Sequence, residues 1–400
     1  MSKLQLTFLS LLLLLPGSAA AEHPSVRVTV EQLEKVLAAA KDMPDGKLAK
    51  QLSNLELTER LSGAKLAAWK AGLPGAKATA ALVILADQSA FLDPPMAEIV
   101  AAAPPDLHEQ ERLISLAADY FAHTVPTLPN LIATRTTVRF EESLPEYQIK
   151  VGEEASILLE PLHLANRSIE TVLYRNGKEV ADSGEGEAKK ADAEETGFTV
   201  EGTFGPMLGA VIGDIADAPN GLSWDRWEIG SGVPAAVIRF EIPEAESHYE
   251  VGFCCLPDGN GTSGFHKVAG YHGEVTIDPS SGAILRLAVT ADLQPPLPLL
   301  RSDIAVEYGP VEIGGKTYIC PVRSVSLMRW RTVAVVISRG GNQVRRFGPY
   351  ATSLNDVAFS NYHIFRAESR ILPSTDSDPE GQPSNAGATG ASPAAPKVQP

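Results

Sequence analysis

The amino-acid sequence predicts an α+β protein: an N-terminal helical domain, a curved antiparallel β-sheet domain with one inserted apolar helix, and a disordered C-terminal tail. Apolar residues recur at helical spacing through residues 29–124. After Pro126-Thr127-Leu128-Pro129-Asn130 the period falls to two, in short segments separated by Gly, Asn and Asp turns. Almost no helical stretch lies between those segments, so they pair antiparallel rather than through crossovers. Residues 373–400 hold six prolines and no aromatic side chain, too little apolar surface to offset the entropy of ordering.

The elements follow in order. Lys3, an apolar run from Leu4 to Leu15 and the small residues Ser18 to Ala21 read as a secretory signal over 1–21, cleaved after Ala21. The run is too short to cross a bilayer, and nothing later is long enough, so the mature chain is expected without a transmembrane segment, periplasmic or secreted. The helical domain takes 22–128. Thr29 and Gln32 form a capping box ahead of Leu33, Val36, Leu37 and Ala40. Further helices are expected over Leu57–Ala71, from Pro74-Gly75 through Phe91, and over Asp106–His123.

The β domain takes 129–372. Its strands are expected at 134–140, 169–174, 198–204, 223–229, 235–242, 247–254, 271–277, 284–291, 303–308, 317–327 and 357–366. Asn176-Gly177 is a two-residue hairpin turn, and the acid-rich stretch 182–195 is a solvated loop. The inserted helix, Pro206–Ala216, is apolar enough to plug the concave face of the sheet. Candidate pocket residues there are Met207, Leu208, Val211, Ile212, Trp224 and Trp227.

With 400 residues and 44% hydrophobic content, the chain can build two ordinary domains. Its net charge of −15 argues against a nucleic-acid partner. Gly259-Asn260-Gly261-Thr262-Ser263-Gly264 spells GxGxxG, but strands flank it on both sides, so it reads as a hairpin loop and not as a dinucleotide site. His248, His266 and His272 lie near Cys254 and Cys255 at irregular spacing and read as surface or turn histidines, without a metal. No serine elbow or other catalytic set is legible, and no cofactor is implied. The three cysteines suggest one disulfide in an oxidising compartment. Strand parity favours Cys255 with Cys320; the alternatives are Cys254 with Cys320, a vicinal bond between Cys254 and Cys255, or a reactive leftover thiol. Between Ile313 and Asn355 seven basic residues occur without an acid. Arg323, Arg329, Arg331, Arg345 and Arg346 either form a basic face toward anionic lipid or wall polymers, or pair with acids of neighbouring strands.

Leu55-Glu56-Leu57-Thr58-Glu59-Arg60-Leu61-Ser62, Ala133-Thr134-Arg135-Thr136-Thr137 and Tyr308-Gly309-Pro310-Val311-Glu312-Ile313-Gly314-Gly315-Lys316 resemble a family of uncharacterised exported bacterial proteins, a likeness that implies no activity. Gly273-Glu274-Val275-Thr276-Ile277-Asp278-Pro279-Ser280-Ser281-Gly282, with Ile284-Leu285-Arg286-Leu287, is similar to strand-turn-strand units of lipoprotein-sorting proteins of the LolA/LolB and MucB kinds. That resemblance implies a curved sheet whose concavity takes acyl chains. The expectation is a non-catalytic envelope protein binding lipid or lipoprotein acyl chains. The alternative is an interaction or envelope-sensing module that docks an envelope protein through its helices. An exported hydrolase is the third reading.

Overall fold

The computed structural model describes residues 25–144, 149–150, 159–175, 178–181, 206–217, 221–230, 233–258, 261–337 and 343–365. The signal segment, the acidic loop, the strand expected at 198–204 and the tail lie outside the described residues. The compact unit containing the helices and the sheet extends to Phe365.

The N-terminal part runs β1 (Val26–Val28), α1 (Val30–Ala39), α2 (Asp45–Leu52), β2 (Leu55–Leu57), α3 (Gly63–Lys70) and α4 (Ala76–Gln88). Thr29 caps α1 in the expected reciprocal box with Gln32. The helix expected over Leu57–Ala71 starts only at Gly63, because Leu55–Leu57 pairs with β1 and the N-cap of α3 is Ser62. Gly75, at the start of α4, has no side chain to cap with. Asp45 of α2 does it instead, accepting from Ala78 N at 2.7 Å and Lys77 N at 3.2 Å.

Next come β3 (Ile99–Val100), α5 (Leu107–His123), β4 (Leu131–Ser143), β5 (Ile149–Lys150), β6 (Glu160–Arg175), β7 (Lys178–Ala181), α6 (Pro206–Asp217), β8 (Leu222–Gly230) and β9 (Val233–Ile242). The chain ends in strands: β10 (Glu250–Asp258), β11 (Gly261–Val268), β12 (Tyr271–Ile277), β13 (Ile284–Ala291), β14 (Leu299–Ile313), β15 (Lys316–Ile337) and β16 (Gln343–Ile364). Twelve strands form one sheet in the order β3-β8-β9-β12-β13-β14-β15-β16-β4-β6-β7, with β5 beside β15. All pairings along that order are antiparallel, as expected. β6 and β7 pair antiparallel with Arg175 opposite Lys178, and β10 and β11 pair with Asp258 opposite Gly261, so Gly261–Gly264 of the GxGxxG string lie in a strand; Asn176, Gly177, Gly259 and Asn260 lie outside the described residues.

Register sorts the side chains onto two faces. The front face of β9, β12, β13 and β14 is aliphatic and aromatic: Ile238, Phe240, Tyr271, Val275, Leu287, Val289, Ile304 and Val306 are all buried under α5 and α6. The back face carries charge in cross-strand order. Arg239 lies opposite Glu274, Arg286 opposite Glu307, and Glu307 opposite Arg323. The α1–α4 layer shares a core with Phe140, Leu327 and Leu354 of the sheet, and it sets its own ions against this ladder. Arg60 donates to both Glu228 oxygens at 3.0 Å. Asp87, at the end of α4 and fully buried, accepts from Arg323, which also binds Asp356 at 2.9 Å. Arg226 joins Glu228, Glu274, Asp93 and Asp225. Burial opposes the charge on Arg323, but Asp87, Asp356 and Glu307 outweigh it and hold the guanidinium above its ordinary range.

This seam predicts acid sensitivity. Burial alone would raise the Glu274 carboxyl, but the Arg226 hydrogen bond and the Arg226, Arg286 and Arg60 charges hold it below 4.5. A carboxylate depressed in the folded state contributes stability above its unfolded pKa and loses it as pH falls through the folded value. Urea midpoints are expected to fall below pH 4.5 more steeply in the wild type than in Glu274→Gln. Equal slopes would contradict this role.

One sequence expectation is corrected here. Cys320 is a free, buried thiol and does not form the expected disulfide with Cys255 or Cys254. It packs with Leu131, Val172 and Tyr174, and burial pushes its pKa up to about 12. Phe253, next to the vicinal pair, stacks at 4.9 Å on Trp330, ten residues further along β15 than Cys320. At roughly 3.3 Å per residue that distance is far beyond the ~7 Å a disulfide spans between Cα atoms. The cysteine side chains at 254 and 255 lie outside the described residues.

Of the five arginines that could form a basic face, three have described side chains, and they do not share one environment. Arg323 is buried in the seam, in keeping with the pairing alternative. Arg331 lies over the Phe347 and Tyr350 rings, with 5.5 and 5.4 Å to the centroids. Arg329 is exposed, and the Arg345 and Arg346 side chains lie outside the described residues.

Candidate functional site: an apolar crevice under two helices

Although it follows α1–α4 in the chain, α5 packs on the opposite face of the sheet. Asp106 caps it, accepting from Glu109 N at 2.8 Å. Two contacts with the β12–β13 turn fix its position. Arg112 donates to Pro279 O at 3.3 Å, and Leu116 O lies where a Cβ on Gly282 would be, 2.3 Å away. Gly282 also has φ +74°, a left-handed conformation that glycine adopts without cost. The rest of the turn is held by Asp278, which accepts from Ser280 N, Ser280 Oγ and Ser281 Oγ.

The inserted helix α6 spans Pro206–Asp217, close to the Pro206–Ala216 expected. It meets α5 where Gly209 leaves room for Phe121, whose Cζ would stand 3.3 Å from a Cβ there. Val211, Ile212 and Ile215 are buried against the front face. Among them sits one carboxylate, Asp214, only 3% exposed. It accepts from Tyr271 OH and from His248 N, both at 2.9 Å, and lies 2.6 Å from His248 Nδ1. A buried carboxylate is tolerated because these donors satisfy it, and they in turn fix the rotation of α6 over the sheet. Burial, and then the Asp214 hydrogen bond, push the Tyr271 phenol well above its ordinary range.

Between the helices and the sheet lies a narrow crevice, open to solvent at its mouth. Its walls are Ile114, Ala117 and Ala118 of α5, Ile212 and Ile215 of α6, and Leu222, Ile238, Val275 and Ile277 of the sheet. Every one is aliphatic. The alanines at 117 and 118 hold it open, since any larger side chain would fill it. Across β15 and β16 the same face turns polar, with Ser324, Ser326 and Ser353 buried, so the apolar zone is bounded.

Of the residues singled out in the sequence, Ile212 lines the crevice and Val211 is fully buried beside it. Trp224 packs at the margin of the same core, and Trp227 meets it edge-on at 4.9 Å without lining the space. The Met207 and Leu208 side chains lie outside the described residues. The α5 wall had no separate signal in the sequence. Its apolar stripe looked like the other helical stripes and did not say which surface it covers.

The three histidines each face a different carboxylate: His248 meets Asp214, His266 meets Glu250 at 3.3 Å, and His272 meets Asp292 at 2.8 Å. Asp93, Asp225 and Glu274 have ligand-type oxygens within 4.8 Å of one another, but Arg226 pairs with all three. A guanidinium already supplies the positive charge there. No family model, curated protein or solved structure matches this chain.

Proposed function

We propose that the protein is a non-catalytic carrier of the envelope that holds an acyl chain, of a lipid or a lipoprotein, between α5, α6 and the front face of the sheet. The observation that carries this reading is the crevice, open to solvent and walled by nine aliphatic side chains. Each methylene buried there would contribute about 0.8 kcal/mol. The resting space is narrow, so a long chain enters by parting α6 from α5, two helices that meet across Gly209. The docking alternative is less favoured, because the apolar residues of α1–α4 are already buried among themselves and against Phe140, Leu327 and Leu354.

The test is native mass spectrometry of the full chain with myristate added. One bound myristate is expected, and Ala118→Phe, which fills the crevice from its half-buried wall, should lose it. A bare polypeptide mass in the presence of myristate, or undiminished binding by Ala118→Phe, would overturn the proposal.

A further inference from the structure

On the back face of the same strands, where Arg286 pairs with Thr276 between the crevice residues Val275 and Ile277, a second crevice opens at the seam between the helical layer and the sheet. It is narrow, and its walls include Arg60, Arg286, Arg323, Glu307, Ala90 and Ala305. Arg60 and Arg286 are each only 8% exposed. Both have spent only part of their donor capacity. Arg60 uses Nη2 on Glu228, and its Nη1 has no acceptor. Arg286 gives Nη2 to Ala90 O at 2.5 Å, and its Nη1 also lacks one. The nearest carboxylate oxygen to that Nη1, from Glu274, is 3.8 Å away, outside hydrogen-bond range.

A buried guanidinium N–H without an acceptor is costly, and two in one crevice are unusual in a folded protein. They are also like charges. Burial first, and then the positive charge of Arg60, pull Arg286 down to about 10. An anion between them would supply the missing acceptors and relieve the repulsion. The neighbouring acids limit which anion. Glu307 lines the crevice, and Glu274 is the closest carboxylate to Arg286. A doubly charged phosphate would meet both, whereas a single negative charge with two oxygens matches the two free N–H groups.

We propose that this crevice is a binding site for the carboxylate of a small organic acid, held by Arg60 and Arg286 with Arg323 behind them. The site is independent of the acyl crevice, and a short acid such as acetate has no chain to place in that crevice.

The experiment is isothermal titration and thermal unfolding of the full chain with sodium acetate, against sodium chloride and sodium phosphate at matched ionic strength. Acetate should give a saturable heat and a rise in unfolding temperature larger than either control. Arg286→Lys, which keeps the charge but removes the planar fork, should weaken acetate by about tenfold or more. Ala305→Val leaves every charge in place and fills the space, so it should do the same and decides the matter if the lysine variant does not fold. An acetate effect no greater than that of chloride or phosphate, or undiminished binding by Ala305→Val, would overturn the site.

Discussion

Replacing Arg323 by methionine is expected to remove about 3–5 kcal/mol of stability, the usual cost of deleting one partner of a buried ion pair. Arg323 stands where the two layers meet, on β15 and opposite Glu307, and its guanidinium reaches both Asp87 of α4 and Asp356 of β16. The side chain of Asp87 is 0% exposed and that of Asp356 is 12% exposed, so neither can recover in water what it loses. The sign depends on this geometry. An exposed pair would cost at most about 1 kcal/mol. Replacing Asp87 by leucine in the same chain should return part of the loss, because the buried carboxyl left without its partner is then gone. Urea unfolding of the two variants measures both effects, and a loss below about 1 kcal/mol for Arg323→Met would show that the seam is not structural.

Gly273→Ala is expected to be comparably severe, at about 3 kcal/mol or more. A Cβ at Gly273 would lie 1.9 Å from the Ala288 carbonyl oxygen and 2.7 Å from Cζ of Phe240. The ring could turn, but the carbonyl belongs to β13, which is itself paired on its far side with β14. Relief therefore requires a break in the β12–β13 register, directly beneath α6. Gly213 provides the contrast. It sits exposed on α6 with nothing within 4 Å of the added carbon, so Gly213→Ala should stabilise by up to about 1 kcal/mol through helix propensity. Equal effects of the two substitutions in a denaturant titration would contradict the packing described.

The regular elements were readable where local chemistry decides them. Tyr271–Ile277 and Ile284–Ala291 are strands over the ranges that alternation and their Asp-Pro-Ser-Ser-Gly turn foretell. The Thr29 cap and the apolar helix after residue 205 were equally plain. Short strand β2 was not, because three residues carry too little period to compete with the helical pattern around them. Nor was β11, whose Gly, Ser, His and Lys residues have little strand propensity and are held by pairing with β10. The disulfide expectation failed for a related reason. Parity assumes an unbroken strand in one sheet, yet β10 and β11 form their own two-stranded sheet, and a bulge between Phe253 and Leu256 falls on the cysteine pair.

The sites were half legible. Helix α6 announced itself, and Ile212 was found, because an apolar helix in a strand-rich region must cover something. The α5 wall and the arginine crevice depend on contacts between residues far apart in sequence, such as Arg323 with Asp87, 236 positions away. Seven basic residues without an acid could be recognised as unusual, but not which carboxylates they would meet.

The central claim, that an acyl chain lies between α5, α6 and the front face, is tested most directly by where a bound chain touches the protein. A fatty acid carrying a diazirine near its methyl end, irradiated with the full chain and mapped by peptide mass spectrometry, should label Leu107–His123, Pro206–Asp217 and the strands Val233–Ile242 and Tyr271–Ile277. Unlabelled myristate should compete. Labelling confined to the β10–β11 hairpin or to α1–α4, or labelling that myristate does not reduce, would contradict the account.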